Sequence, residues 1–119
     1  MKYSYKTKGV CSMQIDFEIE NDIVKNIRFT GGCNGNTQGV AKLAEGRNKD
    51  ELIKLLSGIN CNFRGTSCPD QLAKALSEIN WIITQIINTV FAYYISLTAN
   101  NGKSYFFVFK IIKHFYLFM

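Results

Sequence analysis

Residues 11–20 alternate without interruption. Cys11, Met13, Ile15, Phe17 and Ile19 fall on one side, and Ser12, Gln14, Asp16, Glu18 and Glu20 on the other. A period of two predicts a strand with one buried face, here the face carrying Cys11. Asn21-Asp22 is a turn signal, and residues 23–30 form the return strand, with Ile23, Ile27 and Phe29 inward. A two-residue loop would put the two apolar faces on opposite sides of the hairpin. A three-residue loop, Glu20-Asn21-Asp22, pairs Ile19 with Ile23 and keeps the faces together, so it is the expected register. That register sets Cys11 opposite Gly31, two residues from Cys33. A shorter alternating run over residues 2–6 predicts a further strand, and Gly9 punctuates the connection.

Beyond Gly31-Gly32 the period changes to that of helices. Residues 36–45 present Val40, Leu43 and Ala44 to the core, and Gly46 stops the helix. Asn48-Lys49-Asp50-Glu51 resembles a capping box, opening a second helix with Leu52, Ile53, Leu55 and Leu56 inward and Gly58 at its close. Residues 59–63 are short and extended in expectation. Ser67 is the N-cap of a third helix, with Pro69 and Asp70 in the first turn and Leu72, Ala75, Leu76 and Ile79 on its apolar face. These elements predict an α+β domain over residues 1–80. It is a small antiparallel sheet built on the hairpin 11–30, covered on one face by about three helices.

Residues 81–119 are different in kind. They hold 11 of the 16 aromatics, and residues 81–102 carry no charge. Leu72, Leu76, Ile79, Ile83, Ile86 and Val90 keep a four-three spacing, so the favoured reading is a continued helix followed by β-prone sequence. A homodimer through this 72–90 seam is the corresponding partner expectation. The uncharged run is long enough to span a bilayer, but Thr84, Gln85, Asn88 and Thr89 make it a poor span, and membrane contact by the tail is the weaker expectation. Asn100-Asn101-Gly102-Lys103, between two β-prone runs, reads as a hairpin turn. The Ile/Phe/Tyr/Asn/Lys bias of the tail is also compatible with an extension that is no selected part of the fold.

The net charge of +5 does not point to nucleic acid. Residues 1–80 hold 11 basic and 9 acidic residues, while the tail adds Lys103, Lys110 and Lys113 and no acid. The excess is thus largely a tail property, and no specific nucleic-acid binding is expected. The opening residues Met1–Lys6 have no apolar run behind them, so the expected setting is cytoplasmic, where thiols stay reduced.

In that setting four cysteines read first as metal-binding or redox-active. Cys11 and Cys33 meet by hairpin register. Cys33 and Cys68 each precede or open a helix, where backbone N–H groups and the dipole favour a thiolate. No Cys-x-x-Cys knuckle is present, so placement rather than spacing carries the site: Cys11, Cys33, Cys61 and Cys68 as ligands of zinc or an iron–sulfur cluster. Two other readings stand beside it. Cys61 and Cys68 could form a redox dithiol, or some thiols could be inert core residues, Cys11 first among them. His114 reads as an unengaged surface side chain. The Gly31-Gly32-Cys33-Asn34-Gly35-Asn36 turn lacks both the G-x-G-x-x-G spacing and a G-K-[ST] ending, so it is not expected to cradle a nucleotide.

Gly9-Val10-Cys11-Ser12, the run Phe29–Gly39 and Thr66-Ser67-Cys68-Pro69-Asp70-Gln71-Leu72-Ala73 together resemble the TSCPD domain, in its small stand-alone four-cysteine form. The resemblance covers residues 1–80, and all four cysteines fall on that family's characteristic cysteines. The same domain closes adenosylcobalamin-dependent ribonucleoside-diphosphate reductases. The resemblance therefore implies a link to deoxyribonucleotide synthesis and strengthens the metal site. It does not imply a complete enzyme. A reductase needs a large barrel, a radical source and a cysteine trio at the substrate, and adenosylcobalamin is not expected on this chain. The implied role is an accessory or regulatory module with a reductase or redox partner. A fainter similarity, to iron–sulfur scaffold proteins of the NifU/IscU type, rests on the hairpin, the Gly-Cys-x-Gly turn into a helix and a later cysteine at a helix start. Those proteins use three cysteines, and Cys11 is the departure. The tail matches neither family.

Overall fold

The structure is a computed structural model that describes residues 1–99. The proposed turn at Asn100–Lys103 and His114 lie outside the described residues. The order of elements is β1 (Lys2–Lys6), β2 (Ser12–Glu20), β3 (Ile23–Gly31), α1 (Asn34–Ala44), α2 (Lys49–Leu56) and α3 (Cys68–Ala99). The three strands form one antiparallel sheet in the order β1-β2-β3, so the domain is α+β as its sequence pattern predicts. Met1–Trp81 form one compact unit, and a second begins at Ile82.

The hairpin register differs from the expected one. Ile19 pairs with Val24 and Glu20 with Ile23, so the loop is the two-residue Asn21-Asp22. Both residues have positive φ, +50° and +64°, as a type I′ turn requires. The conflict of faces that argued against this loop is resolved by a bulge. Asp16 pairs with Arg28 and Glu18 with Lys25, so two steps along β2 answer three along β3. The extra residue lies on β3, where Asn26 adopts φ +53°. One inserted residue reverses the parity of the strand. Val24 is therefore fully buried in place of Ile23, while Ile27 and Phe29 still pack against the core beside Ile15 and Phe17.

A second bulge acts in the opposite sense. Ser12 pairs with Gly31 and Gln14 with Thr30, so here the extra residue is on β2. It turns Met13 outward, 64 % exposed, and Ser12 inward, 3 % exposed. Cys11, expected on the buried face, is exposed. Thr7 satisfies the bulged backbone: its N–H donates to the Met13 carbonyl at 3.1 Å and its hydroxyl to the Ser12 carbonyl.

The helices cover one face of the sheet. The core joins Ile15, Phe17 and Val24 with Ala44, Leu52, Leu72, Ala75, Leu76 and Ile79. Leu43 and Leu55, expected inward, are exposed. Their helices turn a narrower face to the core, with Ala44 and Leu52 buried and Val40, Ile53 and Leu56 partly buried against it. Asn48 caps α2, its side chain accepting from the N–H groups of Asp50 and Glu51. Glu51 does not close a capping box, since its carboxylate pairs with Arg47 at 2.8 Å. The outer edge of β3 is covered by the α1–α2 connection. Val24 N–H donates to the Arg47 carbonyl, Gly46 N–H to the Val24 carbonyl, and the Glu45 carboxylate accepts from Asn26 N–H at 2.9 Å.

α3 is continuous from Cys68 to Ala99, so the helix runs through the 72–90 spacing and nine residues beyond Val90. Leu72, Leu76 and Ile79 are spent on the domain's own core, so of the expected seam Ile83, Ile86 and Val90 remain exposed. No helix among the described residues is long and apolar enough to cross a membrane.

The left-handed residue at the bulge makes a direct test. Asn26→Val places a β-branched side chain at φ +53° and should lower stability by about 1–2 kcal/mol, whereas Asn26→Gly should be neutral or stabilising. Urea unfolding monitored by circular dichroism decides it, and equal midpoints for the two variants would refute the assignment.

Candidate functional site

The third helix starts on a hydrogen-bonded knot. Ser67 caps it, its Oγ accepting from Asp70 N–H at 3.1 Å. The Asp70 carboxylate, 5 % exposed, accepts from three neighbours drawn from two segments. Oδ1 takes the backbone N–H of Gly58 at 2.8 Å, and Oδ2 takes the Thr66 hydroxyl at 2.7 Å and the Lys74 ammonium at 2.7 Å. The Thr66 hydroxyl in turn accepts from Gln71 Nε2 at 2.9 Å, and Gln71 Oε1 accepts from Lys8 N–H at 3.0 Å. A hydroxyl has one donor and two acceptor sites, and Thr66 uses both kinds. Burial by itself pushes the Asp70 carboxyl up. The hydrogen bonds from Lys74, Thr66 and Gly58, with the charge of Lys74, outweigh it and hold the group below its ordinary value.

This knot gathers cysteine-bearing segments. Lys8 leads into the Gly9 turn and Cys11. Gly58 leads into the loop of Cys61. Asp70 belongs to the helix that Cys68 opens. The Cys61 loop is a closed turn rather than the extended segment expected. Cys61 N–H donates to the Thr66 carbonyl at 3.0 Å and Arg64 N–H to the Cys61 carbonyl at 3.3 Å, with Asn62 and Gly65 at positive φ. The loop also reaches Cys11 directly: Arg64 Nη1 donates to Cys11 Sγ at 3.3 Å.

Cys33 joins by close backbone packing. Gly32 has φ +89°, and a Cβ there would lie 3.2 Å from the Ser12 nitrogen and 3.2 Å from the Thr37 methyl. A Cβ on Gly31 would lie 3.5 Å from the Cys11 carbonyl. Two glycines therefore let the turn before Cys33 rest on Cys11-Ser12. Cys33 is the N-cap residue of α1 and makes no side-chain cap.

Cys11, Cys33 and Cys61 are exposed and Cys68 is buried. Among the described residues, no group of three or more histidine, cysteine or acidic side chains is drawn into a metal-holding cluster. The four backbones are tied together; the four sulfurs do not form such a group. The donor set nevertheless suits a thiophilic metal. It is all thiol, it sits on turns and helix starts, and three of its side chains are exposed on loops and can turn about χ1. Next in sequence to Cys11, the buried hydroxyl of Ser12 has no hydrogen-bond partner.

The alternation placed Ser12 outward and gave no sign of Arg64. Besides the Ser67 cap, the spacing of Asp70 and Lys74 is a visible trace of the knot, since i and i+4 share a helix face.

A family model described as the TSCPD domain matches residues 1–80. No curated protein and no solved structure matches the chain.

The lowered Asp70 value has a definite pH sign. The charged carboxylate favours the folded state above the unfolded value, about 3.9, and that contribution is lost as pH falls through the lower folded value. Asp70→Asn should cost about 1.5–3 kcal/mol at pH 7, the range for hydrogen bonds to charged groups. It should also flatten the fall in stability below about pH 4. Parallel acid dependences for the two proteins, in urea titrations at several pH values, would exclude Asp70 as the titrating anchor.

Proposed function

Because the chain belongs to the TSCPD domain family, we propose that residues 1–80 form a four-cysteine metal-binding accessory module, with Cys11, Cys33, Cys61 and Cys68 as the ligands. The observation that carries this reading is the convergence of the four cysteine-bearing segments on one end of the sheet. Asp70 links the Cys61 loop to the helix of Cys68, Gln71 links in the approach to Cys11, and Gly31-Gly32 lay Cys33 against Cys11. Four thiolates favour zinc or an iron–sulfur cluster over harder cations. A bound zinc would supply structure, closing the loops over the end of the sheet. The setting in this reading is the reducing cytoplasm. The partner class, by the resemblance of the motif, is a ribonucleoside-diphosphate reductase or the redox system that serves it. The chain's role there is accessory or regulatory.

Purification without air followed by metal analysis tests the reading. The expected result is a colourless protein with roughly one zinc per chain, in the manner of structural thiolate sites. Cys→Ser at any of the four positions should lose that metal. A brown protein that hands its cluster to an acceptor would favour the carrier. A metal-free protein with a titratable dithiol would favour thiol redox. Four freely reactive thiols with no metal would sink the proposal.

A further inference from the structure

Arg64 and Arg47 are engaged differently. Arg47 sits on the surface and pairs with Glu51. Arg64 makes no ion pair with a carboxylate among the described residues, and its guanidinium instead donates to a sulfur, Cys11 Sγ, at 3.3 Å. Its position is set by the closed turn between Cys61 and Thr66. A single residue thus lies in sequence between two of the cysteines, Cys61 and Cys68, and reaches a third across space.

A divalent metal held by four thiolates leaves a net charge of −2 on the site. Nothing else among the described contacts of the four sulfurs supplies a positive charge. We infer that Arg64 is a positioning and charge-compensating residue for the thiolate site: it holds Cys11 toward the Cys61 loop and offsets the excess negative charge once the thiolates bind a divalent metal. The inference rests on the four-cysteine reading above. Its chemistry is general. A ligating sulfur keeps lone pairs that accept N–H bonds, and such bonds stabilise the charged thiolate. Arginine suits the place because its planar fork can hold one sulfur while staying hydrated, and it is always charged.

The test is competition for zinc against a chromophoric chelator, using the full chain stripped of metal and kept reduced. Arg64→Gln should weaken zinc binding by about 10–100-fold, the range for outer partners of metal ligands. Arg64→Lys should lose less, because the charge remains. Arg47→Gln should bind as wild type does. The deficit of Arg64→Gln should also grow at low ionic strength, where an exposed charge is least screened. Arg64 is exposed, so its variants are expected to fold, and circular dichroism checks that. If Arg64→Gln binds zinc as tightly as wild type, the inference is overturned and the four-cysteine reading stands. If Arg64→Gln and Arg47→Gln weaken binding equally, a general surface charge acts and the inference is again overturned. If wild type itself binds no zinc, both fall together.

Discussion

A buried carboxylate needs its charge answered on every side, and Asp70 has this from Lys74, Thr66 and the backbone of Gly58. The consequences reach well past the start of α3. The Thr66 hydroxyl can point at Asp70 only if its lone pairs are met elsewhere, and Gln71 meets them. Gln71 in turn spends its carbonyl on Lys8, in the connection between the first two strands. Removing one member leaves another buried group unpaired, which costs more than the bond itself contributes. Thr66, Asp70 and Gln71 of the family motif are therefore the fastening of the domain, while Cys68 is the residue they present.

The sheet solves a separate problem. A type I′ turn is well matched to strand twist but fixes a register in which two perfectly alternating strands would disagree about which side is inside. The protein keeps the turn and inserts a residue at Asn26. At the far end a second bulge, on β2, turns Ser12 in and Cys11 out. That bulge delivers the first thiol to the surface, beside the Cys61 loop. Bulges that re-aim a side chain at the rim of a sheet are a recurring device near functional sites.

The cysteines show how a scaffold and a site can be separated. The backbones are already bound to one another by the Asp70 knot, the Gly31-Gly32 contact and the Arg64 bridge. The thiols themselves stand at the ends of short side chains on turns, three of them in contact with solvent. In the proposed metal-binding reading the sulfurs have still to approach one another, since they form no metal-holding group among the described residues. In this view Arg64 is, among the described residues, the one side chain that spans two of these segments by a bond to a cysteine sulfur.

The local elements were legible from the sequence alone, because each depends on residues close together in the chain. The strand over residues 12–20, the caps at Asn48 and Ser67, the stops at Gly46 and Gly58 and the continuation of the third helix through residues 72–90 all follow from period and turn chemistry. The motif residues also marked the family. The bulges could not be read, because one inserted residue leaves no periodic trace and the alternation of Cys11–Glu20 looked unbroken. The exposure of Leu43 and Leu55 was hidden for a related reason: helical spacing defines a face, but the width of the face that is covered depends on what packs against it. The bond from Gly58 to Asp70 and the reach of Arg64 to Cys11 join residues 12 and 53 positions apart. Only the folded chain sets such distances, since they are fixed by how sheet, loop and helix meet rather than by any local preference.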